Sequence, residues 1–293
     1  MPTRRPASGL DALVRRALAE DRTGRDRTTR ALRIGPRPAE GRVVAQGHGV
    51  VSGLAFARAA GRAMGLAVSL LRHDGDLVRP GVEVLRLRGD ARRILAAERT
   101  VLNGLVHASG VATATARAVR NAAGGPRPLE VWGTRKTLPG LRDLEKAAIV
   151  HGGGHPHRRD LAEGVLVKNN HLALVPLADA VRRARAAARR GARVEVEVRT
   201  AREAVRAARA GADAVLIDNA SPRRARGIVR ALETAGLRRG RWVELSGGIT
   251  PENVRAYRAV GADAVSLGAL THSAPALAFH LELRPGRLSR PRS

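Results

Sequence analysis

The residues best suited to chemistry in this chain are concentrated between positions 131 and 171, where all of its lysines lie. Only Lys136, Lys146 and Lys168 stand among 53 basic residues, and the rest are arginine. Arginine carries a planar, permanently charged guanidinium, whereas lysine carries a compact ammonium on a flexible stem. We infer that lysine is retained where the chemistry requires an ammonium, and that the functional site includes this stretch.

Further cations lie in the same stretch. Arg135 precedes Lys136, and the pair His157-Arg158 follows a triple glycine. With Lys168, these residues form a cluster of up to five cations, which costs several kcal/mol of desolvation unless an anion is present. We therefore expect a ligand that carries more than one carboxylate or phosphate group.

Two acidic side chains, Glu197 and Asp218, interrupt this basic pattern within short apolar segments. Glu195 has the same strand parity as Glu197, so the pattern alone leaves both glutamates open. Two carboxylates at one site predict either a divalent metal shared with a phosphorylated ligand or polarisation of a sugar hydroxyl. A salt bridge to one of the lysines is the structural alternative.

Two glycine-containing loops occur late in the chain, at Ser246-Gly247-Gly248 and at Gly268-Ala269. Late loops of βα barrels commonly bind phosphate, because their backbone N–H groups point at the anion. We predict phosphate binding for both loops, with simple helix-entry turns as the alternative.

The elements that must position these residues follow from the apolar pattern. Six short apolar runs occupy 129–132, 164–168, 193–198, 213–218, 241–246 and 263–268. Arg/Ala-rich helical segments separate most of them, and parallel strands require such crossovers, so we predict a parallel βα barrel. Arg135, Lys136 and Lys168, together with the two acids and the glycine loops, fall at the predicted carboxyl ends of strands, where such barrels carry their active sites.

Other segments predict helices and strands around this barrel. The phrases AGADAVLID (210–218) and VGADAVSLG (260–268) repeat, and each predicts a helix end that turns on glycine into a buried strand. We predict that 181–190 is a helix with a solvated arginine face that covers a barrel strand. The N-terminal half predicts helices over Gly9–Glu20 and Leu54–Met64, extended segments near Arg42–Ala45 and Val82–Leu87, and a long helix from Ala91 with Asp90 as N-cap.

Composition narrows the class of protein. The 293 residues carry a net charge of +27, but the arginines are dispersed and aromatic residues are only 2%. Few aromatic platforms remain for base stacking, so we expect an anionic small substrate and no specific nucleic acid. No cysteine is present, which excludes thiolate chemistry and zinc–sulfur sites. No apolar run approaches the roughly 20 residues of a membrane span, so we expect a cytoplasmic protein.

Nine segments, in order over nearly the whole chain, resemble the quinolinate phosphoribosyltransferase family. They are LAEDRTGRDRTT (18–29), AERTVLNGLVHASGVATATARAV (97–119), TRKTLPGLRDLEK (134–146), GGGHPHR (152–158), LVKNNH (166–171), VEVEV (194–198), LIDN (216–219), ELSGGIT (244–250) and GALTHS (268–273). The resemblance implies transfer of phosphoribosyl from phosphoribosyl pyrophosphate to quinolinate with Mg²⁺. The products are nicotinate mononucleotide, pyrophosphate and CO₂, in NAD biosynthesis.

The resemblance also implies the fold. It implies an α/β protein in which 117–275 form an incomplete parallel βα barrel of the type II phosphoribosyltransferase kind. Residues 1–116 would form an N-terminal α+β open-sandwich domain. The tail, 276–293, would pack back on that domain.

Site residues follow from the same resemblance. It implies Arg99, Arg135, His157, Arg158 and Lys168 around the quinolinate carboxylates. Lys136, Glu197 and Asp218 would lie at phosphoribosyl pyrophosphate, with Glu197, rather than Glu195, and Asp218 as the metal ligands. Ser246, Gly247, Gly248, Gly268 and Ala269 would hold the phosphate. In the family the arginine that matches Arg99 enters from the other subunit, so the resemblance implies a homodimer with a shared active site.

Three positions depart from the family pattern. Gly133 stands where Asp usually precedes TRKT, Pro156 where Asn precedes HR, and Asn169 where Asp follows the lysine. These departures leave open a paralogous phosphoribosyltransferase of the molybdenum-operon type, or one of secondary metabolism, acting on another aromatic carboxylate. A basic nucleic-acid-binding protein that has lost catalysis is the non-enzymatic alternative. Lys168, which that molybdenum-associated paralogue lacks, and the intact Asp218-Asn219 favour the quinolinate enzyme.

Overall fold

The computed structural model describes residues 9–188 and 192–286, which form two compact units. The first unit comprises residues up to Ala114, then Leu138–Gly153 and the chain from Ala274 onwards; the second comprises Thr115–Thr137 and Gly154–Ser273. The chain therefore passes between the units four times. We predicted two boundaries, near residues 116 and 275, and the structure adds the excursion at 138–153 to the first unit.

The described α-helices are these, in chain order: α1 (Gly9–Glu20), α2 (Arg27–Ala31), α3 (Leu54–Ala63), α4 (Ala91–Ala122), α5 (Arg142–His151), α6 (Asn169–Leu172), α7 (Leu177–Ala187), α8 (Ala201–Arg209), α9 (Pro222–Thr234) and α10 (Ala269–His272). The strands are β1 (Pro38–Ala45), β2 (Gly49–Val50), β3 (Ala67–Leu70), β4 (Leu77–Val78), β5 (Glu83–Asp90), β6 (Glu130–Trp132), β7 (Val165–Val167), β8 (Val194–Val198), β9 (Ala214–Asp218), β10 (Trp242–Ser246), β11 (Ala264–Ser266) and β12 (Phe279–Pro285). Short 3₁₀ helices lie at Thr23–Arg25 and Val254–Tyr257.

The first unit is built on an antiparallel sheet of order β12-β1-β5-β3. Its core consists mainly of Val, Leu, Ile and Ala, together with Phe56 and Phe279. The predicted helix Gly9–Glu20 is confirmed, as are the helix from Leu54 and the long helix from Ala91. Asp90 Oδ1 accepts the Arg92 N–H at 3.0 Å, as the predicted N-cap requires.

The C-terminal tail contributes to this unit through β12. Residues 279–285 pair antiparallel with β1 from Ala39 to Ala45. The remainder of the predicted tail, 287–293, lies outside the described residues. No helix in the described part of the chain is both long and apolar enough to cross a membrane, although α4 has 32 residues.

The second unit is built on six parallel strands in the order β6-β11-β10-β9-β8-β7. All six predicted strands are present, and helices α7, α8 and α9 lie between consecutive strands from β7 to β10. Among the described residues no ladder joins β6 to β7, so the predicted incomplete parallel barrel is confirmed.

The repeated phrase produces two equivalent turns at the amino ends of strands. Gly211 and Gly261 adopt φ of +98° and +88°, a left-handed conformation that favours glycine. The aspartate two residues later then accepts a backbone N–H of a neighbouring strand: Asp213 from Val194 at 2.9 Å, and Asp263 from Val243 at 2.7 Å. The two copies of the repeat therefore form the same turn, and the aspartate of each fixes the register between adjacent strands.

Helix α7 corresponds to the predicted arginine-rich helix. It packs against β7 and β8, burying Leu177 and Val181, while Arg182 and Arg183 are exposed. The prediction of a covering helix with a solvated arginine face is confirmed as far as Ala187. Arg189 and Arg190 lie outside the described residues.

Candidate active site

The carboxyl ends of the six parallel strands bring the candidate residues to one edge of the sheet. Arg135 and Lys136 follow β6, and Lys168 follows β7 directly. Glu197 lies in β8, and Asp218 ends β9. Because parallel strands present their carboxyl ends on the same side, these side chains share one mouth of the barrel.

Lys136 is held against the last glycine loop. Its backbone N–H donates to Thr134 Oγ1 at 2.9 Å, and Thr271 Oγ1 lies 2.8 Å from its carbonyl oxygen. A Cβ added to Gly268 would lie 2.9 Å from Lys136 Cδ, closer than side chains normally approach. Gly268 therefore leaves the space along which the lysine side chain runs, and the ammonium is brought beside a predicted phosphate loop.

Lys168, Glu197 and Asp218 form an interacting group. Burial, followed by the nearby Asp218 carboxylate, raises the pKa of Glu197, while Lys168 opposes the rise. Asn169 Nδ2 donates a short hydrogen bond to Glu197 Oε1. Of the two glutamates that the sequence pattern left open, Glu197 is the one that faces Asp218.

Asp218 is positioned by its neighbours in sequence and space. Asn219 Nδ2 donates to Asp218 Oδ1 at 3.0 Å, and Arg199 Nε lies 3.6 Å from Asp218 Oδ2. Asn219 adopts a φ of +51°, and its N–H donates to the Ser246 carbonyl at 2.9 Å. A Cβ on Gly247 would lie 2.3 Å from Asn219 Oδ1, so only glycine permits this approach of the two strand ends.

Four further charged or ionisable side chains lie lower in the barrel. His157 Nε2 is 3.5 Å from Glu244 Oε1, and Glu195 interacts electrostatically with both Glu244 and Arg158. Burial, and then Glu244, raises the pKa of Glu195 to about 8. Burial, and then Arg135, lowers the pKa of Arg158. These residues, except Arg135, line a cavity of about 160 Å³ inside the barrel.

Unsatisfied polar atoms are concentrated in this region. Among the described residues, the buried side-chain polar atoms without a hydrogen-bond partner are Arg135 Nε, Glu195 Oε1, Glu244 Oε1 and His280 Nδ1. Three of these four atoms belong to the barrel group. A buried unpaired polar atom costs about 1–3 kcal/mol of stability. The polar side chains inside the barrel therefore destabilise the fold, which indicates a role other than folding.

An aromatic wall closes the same cavity. The Trp132 ring stacks on His155 with centroids 5.1 Å apart, meets the His157 ring edge-on at 5.6 Å, and meets Trp242 at 5.9 Å. Arg193 lies 5.1 Å above Trp242. Both tryptophans of the chain therefore meet at the cation cluster, although aromatic residues are only 2% of the sequence.

The residues predicted from the sequence form part of this site. Arg135 and Arg158 lie together, as do Lys168, Glu197 and Asp218, whereas Arg99 is an exposed residue of α4 in the first unit that pairs with Glu98 at 3.2 Å. Glu244, both tryptophans, Arg199 and the contact of Asn169 with Glu197 were not predicted. Glu244 had a usable signal, because it is the single charged residue of β10 and shares the strand parity of Ser246.

The donor set at the mouth suits a hard divalent cation. Glu197 and Asp218 offer carboxylate oxygens from adjacent strands, which are the ligands that Mg²⁺ prefers. Their mutual repulsion contributes to the raised pKa of Glu197, and a bound cation would relieve it. The residues present therefore fit the ion that the resemblance implied.

Taken together, the mouth can bind a multiply charged anion and stabilise charge that develops during a transfer reaction. Lys136 and Lys168 supply ammonium groups, and the strand-end glycines leave backbone close to the ligand. Preorganised charges of this kind accelerate reactions without a protein nucleophile.

Comparison with known proteins identifies the relatives of this chain. Residues 26–109 match the model of the quinolinate phosphoribosyl transferase N-terminal domain, and residues 111–282 match that of the C-terminal domain. A probable nicotinate-nucleotide pyrophosphorylase [carboxylating] of Methanothermobacter thermautotrophicus is 40% identical over 273 residues, or 93% of this chain and 98% of the relative. The human nicotinate-nucleotide pyrophosphorylase [carboxylating] is 40% identical over 95% of this chain and 93% of its own.

A solved structure agrees with these relatives. The crystal structure of NadC from Streptococcus pyogenes superposes with a TM-score of 0.86 at 34% identity, covering 97% of this chain and 99% of that one.

Proposed function

The chain belongs to the quinolinate phosphoribosyltransferase family, and from this membership we infer its reaction. It is a nicotinate-nucleotide pyrophosphorylase that transfers phosphoribosyl from phosphoribosyl pyrophosphate to quinolinate, releasing pyrophosphate and CO₂ in NAD biosynthesis. The observation that carries this function is the convergence of Lys136, Lys168, Glu197 and Asp218 on the carboxyl ends of β6 to β9. Relatives that carry this activity in their names match the chain over nearly its full length.

The acceptor acid is proposed to bind among the cations. Arg135, His157, Arg158 and Lys168 would contact the two quinolinate carboxylates. Burial, and then Arg135, lowers the pKa of Arg158, and Arg135 Nε is buried without a hydrogen-bond partner; both observations support this assignment, because the two guanidinium groups lie close together and are partly withdrawn from water. A bound dicarboxylate would supply that partner.

The donor substrate is proposed to bind along the glycine loops. Lys136 would contact phosphoribosyl pyrophosphate, and Ser246, Gly247, Gly248, Gly268 and Ala269 would hold its 5′-phosphate. Glu197 and Asp218 would hold Mg²⁺, which when bound neutralises charge on the pyrophosphate group. The position of Lys136 beside Gly268 supports this arrangement.

The residues act by position and charge. As the bond between ribose and pyrophosphate breaks, the ribose becomes oxocarbenium-like and the pyridine nitrogen captures it. Lys136 would balance charge on the leaving group, while the acceptor cations hold the ring at attacking distance. The ring nitrogen is then cationic, so the electron pair released on loss of the adjacent carboxylate as CO₂ is stabilised. A proton replaces that carboxylate on the ring carbon.

The assembly is proposed to be a homodimer in which Arg99 completes the acceptor site of the partner. Its exposure on α4 supports availability to a second copy. A mixture of Arg99→Ala and Lys136→Ala protomers should recover part of the activity that each homodimer lacks, because one of the two shared sites would be intact. Absence of recovery after subunit exchange would argue against a shared site.

Two of the three departures from the family pattern, Gly133 and Asn169, support a second candidate acceptor. The Gly133 N–H donates to the His155 carbonyl at 2.8 Å, and Asn169 donates to Glu197. An Asp at 169 would instead oppose the Glu197 carboxylate, so both substitutions to neutral residues make the mouth more positive. Another aromatic carboxylate is therefore the alternative acceptor, and the catalytically inactive nucleic-acid binder is disfavoured by intact Lys136, Glu197 and Asp218.

An assay of purified protein with quinolinate, phosphoribosyl pyrophosphate and Mg²⁺ tests the proposal. Pyrophosphate and CO₂ should appear at comparable rates, and omission of Mg²⁺ with added chelator should abolish both. Pyrophosphate formed only with another aromatic acid would transfer the assignment to the second candidate. Inactivity with every acid would reject the enzymatic function.

A further inference from the structure

Two buried glutamates lie beneath the proposed acceptor site and have no part in the function proposed above. Glu244 is only 2% exposed, and the Oε1 atoms of Glu195 and Glu244 are buried without a hydrogen-bond partner among the described residues. Glu244 faces His157, and Glu195 faces Arg158. Each glutamate therefore lies behind one residue assigned to the acceptor carboxylates.

The contacts of His157 define which of its ring nitrogens carries the proton. The Arg158 backbone N–H donates to His157 Nδ1 at 2.7 Å, so Nδ1 is an acceptor. In a neutral imidazole the proton must then reside on Nε2. That nitrogen lies 3.5 Å from Glu244 Oε1, and the residue adopts a φ of +57°, a left-handed conformation unusual for a side-chain-bearing residue.

A metal ion is the obvious alternative occupant, because His157, Glu195 and Glu244 place one ligand atom each within 4.8 Å of one another. An ion bound to Nε2 would displace its proton to Nδ1. A protonated Nδ1 could not accept the Arg158 N–H, and the contact at 2.7 Å would be lost. Arg158 also already places a positive charge beside Glu195. The geometry therefore favours a role for Glu244 beside a protonated Nε2 over a metal site.

We propose that Glu244 is a positioning residue. Its carboxylate lies near Nε2 without accepting a hydrogen bond from it, so it keeps the proton of His157 on Nε2 and leaves that N–H available to a carboxylate of the acceptor acid. This inference rests on the proposed function. A carboxylate that orients the imidazole of a functional histidine is a recurring arrangement in enzymes and metal sites. The edge of the His157 ring against Trp132, at 5.6 Å between centroids, restrains the ring from a second side.

Charge and position predict opposite effects of removing Glu244. If the glutamate acted only through its negative charge, then Glu244→Gln would strengthen the binding of a dianionic acid by making the site more positive. If it orients His157, then the same change weakens binding. A neutral amide no longer favours a proton on Nε2, and it can turn its NH₂ group toward that nitrogen. The sign of the change in KM therefore separates the two roles.

Steady-state kinetics of Glu244→Gln and Glu244→Asp provide the first test. We expect KM for quinolinate to rise about tenfold in Glu244→Gln, in the range for loss of a carboxylate that supports a functional histidine, with KM for phosphoribosyl pyrophosphate within about twofold. Glu244→Asp should recover part of the loss because it retains a carboxylate. Glu233→Gln, an exposed change on α9, should behave as wild type. A lower KM for quinolinate, or equal rises in both KM values, would overturn the proposal.

The tautomer of His157 provides a second test that does not depend on turnover. ¹⁵N NMR of histidine-labelled protein, with the His157 signals assigned by their loss in His157→Gln, should show a protonated Nε2 and an unprotonated Nδ1. Glu244→Gln should shift the populations toward the other tautomer or broaden the signals. Identical spectra for wild type and Glu244→Gln would overturn the proposal.

The two tests also separate failure of this inference from failure of the function. If wild type does not use quinolinate but the tautomer depends on Glu244, the proposed acceptor is wrong and the positioning role stands for whichever acid binds. If wild type uses quinolinate and neither KM nor the tautomer responds to Glu244→Gln, the function stands and the inference is wrong.

Discussion

The two ends of the barrel are built from the same kinds of residue but treat charge in opposite ways. At the amino ends of the strands, Arg185 pairs with Asp213 at 2.7 Å and Arg238 pairs with Asp263 at 2.8 Å. Arg241 donates to three backbone carbonyls. Inside the barrel and beyond the carboxyl end of β6, by contrast, two glutamates and Arg135 retain buried polar atoms without a hydrogen-bond partner among the described residues.

The difference separates a stabilising end from a functional end. Paired charges at the amino end lock neighbouring strands and lower the free energy of the fold. Unpaired or like-charged groups inside the barrel and at its carboxyl end raise the free energy of the folded state, and a bound ligand would offset this cost. Buried polar groups without hydrogen-bond or charge partners are expected at functional sites. Variants at the carboxyl end should therefore lose activity but not stability, and variants at the amino end should do the reverse.

The largest expected effect is at the carboxyl end. Lys168→Ala should lower kcat/KM by about 100-fold or more, since it removes a preorganised charge at the reacting groups. The melting temperature should stay near the wild-type value because the side chain is exposed. Arg185→Ala removes a cation from the amino end and should leave kcat/KM within about twofold. Near-normal kinetics for Lys168→Ala would remove this lysine from the site.

The second effect should be on stability. Asp263→Ala removes the acceptor of the Val243 N–H and leaves Arg238, with 15% of its side chain exposed, without its carboxylate. We expect about 2 kcal/mol of lost stability, or roughly 4–8 °C in melting temperature. Denaturant and thermal unfolding measure this, and kcat of the folded protein should be unchanged. A larger loss of activity than of stability would contradict the division between the two ends.

The strands and turns of the barrel could be predicted from the sequence, whereas the charge pairs that form between distant residues could not. Alternating apolar residues and the GADAV repeat predicted every strand of the barrel, because strand burial and glycine turns are local in sequence. The motif residues of the carboxyl end were predicted through the family resemblance. The pairing of Arg238 with Asp263, 25 residues apart, could not be predicted, since one arginine among so many carries no local sign of its partner. Glu244 did carry a local signal, as the single charged residue of β10, but its contact with His157 could not be predicted because it exists only after the strands are assembled.

The third prediction concerns pH. Burial, and then Glu244, raises the pKa of Glu195 from its ordinary 4.5 to about 8. Between these values the folded protein retains a proton that the unfolded chain has released, so wild-type stability should fall as pH rises through this window. Glu195→Gln lacks this penalty, and its melting temperature relative to wild type should increase from pH 5 to pH 8 in chelator-containing buffer. The exposed control Glu233→Gln should show a constant difference, and a constant difference for Glu195→Gln would contradict the assignment.

The smallest effect should come from the more exposed of the two amino-end pairs. Arg185 and Asp213 retain 48% and 37% of their side-chain exposure, so Arg185→Ala should cost only about 0.5 kcal/mol. Burial alone would raise the pKa of Asp213, but the Val194 N–H and Arg185 hold it below its ordinary value. The contribution of the pair to stability is therefore present above that ordinary pKa and is lost as pH falls through the lowered pKa.

A salt experiment measures this small contribution. The free energies of unfolding of Arg185→Ala and wild type should differ most near neutral pH and low salt, and the difference should shrink in 1 M salt because exposed pairs are screened. The loss in Asp263→Ala should persist in that salt. Equal salt sensitivity of the two variants would show that burial does not distinguish the two copies of the repeat.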